Sequence, residues 1–358
     1  MQHTEFEDKN YRYKNYDLLR IISTIAVIFI HVNYHYFQKH AYEPSASLEY
    51  IIESIINVVN RFSVPAFVMI SGAFNLRNTN NSDAGNFYRK TSWKIFVPVL
   101  GAITLFLIID EGKAIVAGTS KLSPVIGIIK GSYYNLWFLY MLAGLYLLTP
   151  LIIKLKSALS DNAYKTISTF LMIWATGSQA FSSEQVAYAI GVVFAFLGYY
   201  MLGDVILNTI YVKRKSSCFF IIAAVMNLLA FAVRYLGVSY YLFNAYTNFF
   251  SPFIVIASIC VFTGFKQIDI QKDFSWLSGM TFYLYVFHSI TYNAVFKMIK
   301  MLGNVKGLQE IFAIVFVSAA TFFIALGIAV VYDKFWKSQT KWRDKWYSLK
   351  LWKNLSEL

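Results

Sequence analysis

The sequence predicts an all-α integral membrane protein of about ten transmembrane helices, with both termini in the cytoplasm. Three observations carry this expectation. Only 14% of the 358 residues are charged, whereas a soluble domain averages about 25%. The chain is 57% hydrophobic, its mean hydropathy is +0.50, and its apolar runs recur at about the 20 residues needed to cross a bilayer as a helix. The basic residues also alternate between successive loops, as the positive-inside rule requires.

The apolar runs place spans near 17–37, 50–74, 92–110, 134–153, 164–181, 187–207, 217–236, 246–264, 276–299 and 309–332. Connections after even-numbered runs are basic. They hold Arg77, Arg89, Lys90 and Lys94, then Lys154, Lys156 and Lys165, then Lys213, Arg214 and Lys215, then Lys266 and Lys272. The opposite loops are poorer in Lys and Arg, FSSEQV around Glu184 being one example. The stretch 111–133 departs from the pattern. It carries Lys113, Lys121 and Lys130 on the outer side and reads as a surface or re-entrant segment.

Three regions follow: a flexible cytoplasmic N-terminus at 1–15, a transmembrane domain at 16–332, and a basic, Trp-rich cytoplasmic tail at 333–358. In the tail, Trp342, Trp346 and Leu349 follow helical spacing with Lys and Arg between them. That pattern suits a helix lying on an anionic inner leaflet. A plain basic tail obeying the positive-inside rule explains it equally well.

The formal charge of +13 needs no nucleic-acid partner, because the cytoplasmic loops account for it. Cys218 and Cys260 both fall in apolar runs, where they read as free thiols in packed helices. The first run is too long for a signal peptide and lacks a small-residue cleavage site, so it should remain as an anchor.

Arg20 and His31 are the most informative residues. Both lie in the first run, YDLLRIISTIAVIFIHVNYHYF, and ionisable groups inside a span are functional hypotheses by default. Eleven positions separate them. That is about three helical turns, which places both on one face roughly 16 Å apart along the axis. Such a face could hold a long ligand with a charged end and a reactive end. The plainer readings are that His31 is a hydrogen-bonded packing residue and that Arg20 is an anchor snorkelling to the headgroups. Asp17 reads as an N-cap and a partner for Arg20 three residues on.

Arg61 falls near the middle of the second run beside Asn60, where a charge needs a partner or a polar cavity. It could stabilise negative charge in a reaction or form a buried ion pair, with Glu53 as the candidate. Ser71 and Gly72 suit close helix approach better than catalysis. Arg89, Lys90 and Lys94 form a basic cluster that could clamp phosphates or simply obey the positive-inside rule. His35 lies one turn above His31. A metal pair would need a third ligand that the sequence does not offer, so no metal is expected, and His35 better suits a hydrogen bond near an acceptor.

The segment around Arg20 resembles the start of the acyltransferase-3 family of integral membrane acyltransferases, which opens with Asp, two residues, Arg, ten residues, His. Here these are Asp17, Arg20 and His31. RFSVPAFVMISGAF at 61–74, YRKTSWKIFVP at 88–98, LWFLYMLAGLYLLTP at 136–150 with Trp137, and LSGMTFYLYVFH at 277–288 ending in His288 resemble later family segments in the family's order. One position departs: Asn135 stands where members often have His, and an amide cannot act as a base. The chain also shows no esterase-like domain after its last helix, as some relatives have, and so resembles the short stand-alone type.

The resemblance implies transfer of an acetyl or similar short acyl group from cytoplasmic acyl-CoA to a hydroxyl of a cell-envelope glycan or glycolipid. The expected location is the inner membrane of a bacterium. Arg20, Arg89, Lys90 and Lys94 would hold the donor's phosphates, since guanidinium suits phosphate oxygens. His31 would act as general base or as acyl carrier, and the sequence leaves both open. Arg61 would shape the polar centre, and Asp17, His35, Ser71, Trp137 and His288 would support it, His288 in either a catalytic or a packing role. The rival reading is a transporter of a lipid-linked sugar or small polar solute, which should show interrupted helices, repeats or acidic ion sites. A non-catalytic scaffold is a third reading, and it leaves Arg20 and His31 unexplained. The oligomeric state is not legible.

Overall fold

The computed structural model describes residues 13–37, 47–116, 137–181, 188–208, 214–236, 248–301 and 308–356. The described residues are helical almost throughout and contain no strand. In chain order the helices are α1 (Lys14–Phe37), α2 (Leu48–Val59), α3 (Ser63–Asn75), α4 (Ala84–Thr91), α5 (Val97–Val116), α6 (Trp137–Ala158) and α7 (Asp161–Phe181). They continue as α8 (Tyr188–Asn208), α9 (Ser216–Tyr235), α10 (Pro252–Lys266), α11 (Ser275–Met301), α12 (Leu308–Ser338), α13 (Thr340–Tyr347) and α14 (Lys350–Ser356). Residues 117–136, including Asn135, lie outside the described residues, as does most of the 1–15 region.

Each of the ten expected segments contains helix among the described residues, but only six helices among those residues are long and apolar enough to cross a membrane: Lys14–Tyr34, Leu48–Asn75, Ala84–Lys113, Trp137–Ala158, Ser216–Val233 and Gln309–Ser338. The others fall short for identifiable reasons. The described apolar parts Val192–Asn208 and Pro252–Lys266 are short. Helices α7 and α11 carry more polar side chains, and in α11 these include Ser278, Thr281, His288, Ser289 and Asn293. The surface supports the membrane reading. On α9, Ile221, Val225 and Leu228 are exposed, and on α12 so are Phe312, Phe316 and Phe323. Faces this apolar need a covering, which lipid supplies.

The second expected span is not continuous. A 3₁₀ turn, Asn60–Phe62, interrupts it between α2 and α3. Pro65 explains the break: it has no N–H for the carbonyl four residues back, at Arg61, and its ring crowds that carbonyl. The chain tightens instead, so that the Ser63 N–H bonds to the Asn60 carbonyl. A π-helical turn, Ser92–Phe96, similarly joins α4 to α5. Such turns often mark functional positions.

Helix α1 runs through the centre and packs against α2, α3, α10, α11 and α12. Its start is held by Asn15 Nδ2 donating to the Phe265 carbonyl at 2.7 Å and Arg77 Nη1 donating to the Tyr13 hydroxyl at 2.8 Å. Helix α8 packs tightly on α3. A Cβ on Gly72 would lie 1.8 Å from the Tyr200 carbonyl oxygen, and one on Gly203 would lie 2.1 Å from that of Met69. The glycines therefore let two backbones touch, the role expected of Gly72.

Candidate active site

Asp17, Arg20 and Ser278 form the first part of the site. Asp17 is not the N-cap that the sequence suggested: α1 starts at Lys14, which puts Asp17 inside its first turn, where it is only 2% exposed. Its Oδ1 accepts from Ser278 Oγ on α11 at 2.6 Å and from Arg20 Nη1 at 3.2 Å. The Arg20 guanidinium lies 5.2 Å over the Phe74 ring. A buried carboxylate and an aromatic face thus hold the cation, which is a more specific arrangement than snorkelling.

Arg20 lines a cavity of about 790 Å³. Ser71, Lys94, Tyr146, Ser278 and Tyr285 also line it, as do residues of α12 and α13. A smaller cavity of about 410 Å³ shares Lys94, Ile95 and Tyr146 with the first and adds Lys90 and Asn75. Lys90 and Lys94 therefore sit where an anionic ligand could reach them. Arg89 lines neither cavity itself but borders them: its guanidinium lies 5.2 Å over Tyr347, which lines the first, and its Nη2 donates at 2.7 Å to Oδ1 of Asn86, which lines the second.

His31 meets His288 across the α1–α11 interface, with ring centroids 5.0 Å apart. Tyr292, one turn along α11, stacks nearly parallel to His31 at 6.3 Å. His288 is fully buried. Its Nδ1 is hydrogen-bonded to the Tyr285 carbonyl, which can only accept. That bond puts the proton on Nδ1 and leaves Nε2 as an acceptor, 3.3 Å from Ser289 Oγ. Tyr285 links this pair to the cavity, since it lines the cavity wall and its ring lies 5.2 Å from that of His288.

Arg61 occupies the 3₁₀ turn. Its Nε donates to Asn57 Oδ1 at 2.9 Å, and its guanidinium lies 5.7 Å over Phe249. Phe249 in turn stacks on Trp137 at 5.9 Å. Trp137, Phe249 and Arg61 thus form one column, which gives the Trp137 position a physical role. The His35 side chain lies outside the described residues. Among the described residues, no group of three His, Cys, Asp or Glu side chains could hold a metal ion.

A family model described as an acyltransferase domain, that of the acyltransferase-3 family, matches residues 13–330. The chain belongs to the acyltransferase-3 family. Membership indicates a membrane acyltransferase, and the match spans the stretch from Asp17 to His288. No curated protein and no solved structure matches the chain. Sequence reasoning did not single out Ser278, Tyr285 or Tyr292. The signal was partly present, because Ser278 and Tyr285 stand in the same LSGMTFYLYVFH stretch that ends in His288.

Proposed function

We propose that this acyltransferase-3 protein moves an acetyl or similar short acyl group from acyl-CoA to a hydroxyl of a cell-envelope glycan or glycolipid. It would do so in a cytoplasmic membrane, with both termini and the donor on the cytoplasmic side. The observation that carries the reading is the position of Tyr285. It lines the cavity that holds Arg20 and Lys94, and it touches His288, which faces His31. Cations at one end and an imidazole pair at the other suit a donor with phosphates at one end and a thioester at the other.

Two routes fit. In direct transfer, a His31 ring nitrogen takes the proton of the acceptor hydroxyl as its oxygen attacks the thioester carbonyl. The C–S bond breaks, and the imidazolium returns the proton to the departing thiolate. In the covalent route, the ring nitrogen attacks the carbonyl and the thiolate leaves. The acceptor oxygen then attacks the acyl carbon, the C–N bond breaks to return His31 to its neutral form, and the hydroxyl proton passes to the thiolate. Arg20 and Lys94 would bind donor phosphates in either case. Arg61 would stabilise charge near the acceptor.

The test follows label from acyl-labelled acetyl-CoA added to membranes containing the wild type, His31→Ala, or neither. Label should reach lipid or glycan with the wild type alone. Absence of both transfer and acyl-CoA binding in the wild type would reject the proposal. One observation favours a transporter instead: the interrupted helix at Asn60–Phe62, a feature of transport sites. A transporter need not bind or hydrolyse acyl-CoA, so binding to the purified protein separates the two.

A further inference from the structure

Eight residues of the main cavity's lining lie beyond residue 330, where the family match ends. They belong to the end of α12, the link Gln339, and α13. One wall of the candidate donor site is therefore built by a tail that the family's shared domain does not include. We propose that this tail is part of the donor site, with Lys337 and Arg343 binding phosphates of the donor's nucleotide end. The inference rests on the acyl-CoA reading above and deepens it.

The wall carries two cations, Lys337 and Arg343, each beside a carboxylate of the same wall. Lys337 Nζ lies 2.7 Å from Asp333 Oδ2, and Arg343 Nε lies 3.3 Å from Asp344 Oδ1. Both cations are well exposed, with side chains 73% and 44% accessible. Exposed pairs of this kind are held weakly, so a phosphate can recruit either cation with little lost. Arg20 and Lys94 line the same cavity. Trp93 and Trp336 meet edge to face at 6.1 Å, and both line the cavity. They offer flat apolar surface of the kind on which a purine base stacks.

The tail is fixed in place by contacts remote from this wall. Helix α14 packs on α4, and Trp352 is buried between them at 8% exposure. Trp346 Nε1 donates to Ser92 Oγ at 3.1 Å, and Trp352 Nε1 donates to the Trp346 carbonyl at 2.8 Å. A Cβ on Gly85 would lie 2.0 Å from Ser356 Oγ and 2.1 Å from the Trp352 carbonyl oxygen. Any side chain at 85 must therefore push α14 away. That makes Gly85 a lever on the tail that removes no residue of the cavity.

The experiment measures binding of coenzyme A, and of pantetheine, which lacks the nucleotide, to purified full-length protein in neutral detergent. The variants are Lys337→Ala/Arg343→Ala, which leaves the tail docked, and Gly85→Leu, which displaces it. Both should bind coenzyme A roughly tenfold or more weakly, the scale of losing hydrogen bonds to charged groups. Both should bind pantetheine as the wild type does. Wild-type affinity for coenzyme A in both variants would overturn the inference while leaving the acyl-CoA reading intact. Equal losses for coenzyme A and pantetheine would also overturn it, because they would reflect damage to the whole site. No coenzyme A binding by the wild type would overturn the acyl-CoA reading and the inference together.

Discussion

Ser278 and Arg20 converge on one oxygen of Asp17: Ser278 Oγ donates at 2.6 Å and Arg20 Nη1 at 3.2 Å. The carboxylate is buried, so it must be paired to remain charged at low cost. It joins α1 to α11, the two helices that carry His31 and His288. Asp17 thus holds the cation in place and registers the helices that bear the imidazoles.

Asp17→Asn keeps the size of the side chain and removes its charge. Arg20 then loses the anchor that aims it into the cavity. The expected result is a rise of roughly tenfold in KM for the acyl donor, from loss of a charged hydrogen bond, with a much smaller change in kcat. Ser278→Ala should instead cost about 1.5–3 kcal/mol of stability, the value of a hydrogen bond to a charged group. Initial-rate kinetics and thermal melting in detergent check the pair. If Asp17→Asn changed kcat alone, Asp17 would belong to the chemistry rather than to positioning.

The His31–His288 contact makes a second prediction. His31→Ala should lower transfer roughly 100-fold or more, the usual scale for a lost general base or nucleophile. His288→Ala should also lower it, because the ring that packs on His31 is gone. If the rings act as a unit, the double variant should be no worse than His31→Ala, since residues acting together are strongly non-additive. Multiplying effects would show two independent roles. Protein amount in the membrane must be matched in all three.

What the sequence made legible divides by distance along the chain. Asp17, Arg20 and His31 share one helix, so their spacing alone puts them on one face. The break at Asn60–Phe62 was also within reach, because Pro65 denies Arg61 its helical partner, yet a long apolar run reads as continuous. The meeting of His31 with His288 spans 257 positions and depends on how α1 packs on α11. No local periodicity encodes that, and only the resemblance pointed to His288. Arg89 and Lys94 look alike in the sequence, yet Lys94 lines both cavities while Arg89 stacks over Tyr347 at the edge of one. The tail reads two ways, since Trp at helical spacing among Lys and Arg suits a lipid surface as well as a protein groove, and the spacing alone does not choose between them.

Gly72 offers a structural prediction with an internal control. Gly72→Ala would put a carbon 1.8 Å from a backbone oxygen of α8, so the helices must separate. Overpacking of this kind costs about 1–3 kcal/mol, sometimes more. A Cβ on Gly112 would meet nothing within 4 Å, and in a helix Gly→Ala there should stabilise by roughly 0.5–1 kcal/mol. Melting temperatures of the two variants should move in opposite directions. A stable Gly72→Ala protein would mean that the α3–α8 contact is looser than described.

The docked tail should respond to acid through Asp83. This residue caps α4: its Oδ1 accepts from the Asn86 N–H at 3.0 Å, its carboxylate also bonds with the Asn86 side chain, and Ser356 beside it helps to hold it charged. The Asn86 N–H contributes most to holding the carboxyl below its ordinary value of 3.8. A group whose folded pKa is depressed stabilises above its unfolded value and loses that contribution as pH falls through the folded one. The cap and the Ser356 contact should therefore be intact at about pH 5 and above, and should weaken below about pH 4. Tryptophan fluorescence can follow this, taken as the difference between the protein and Trp352→Phe, which isolates the buried ring on α14. Asp83→Ala should show part of the same change at neutral pH, since a lost cap costs roughly 0.5–1 kcal/mol at an accessible site. It should also flatten the acid transition, because the titrating group is gone. An acid transition unchanged in Asp83→Ala would assign it to other carboxylates and leave α14 held by Trp352 and Gly85 alone.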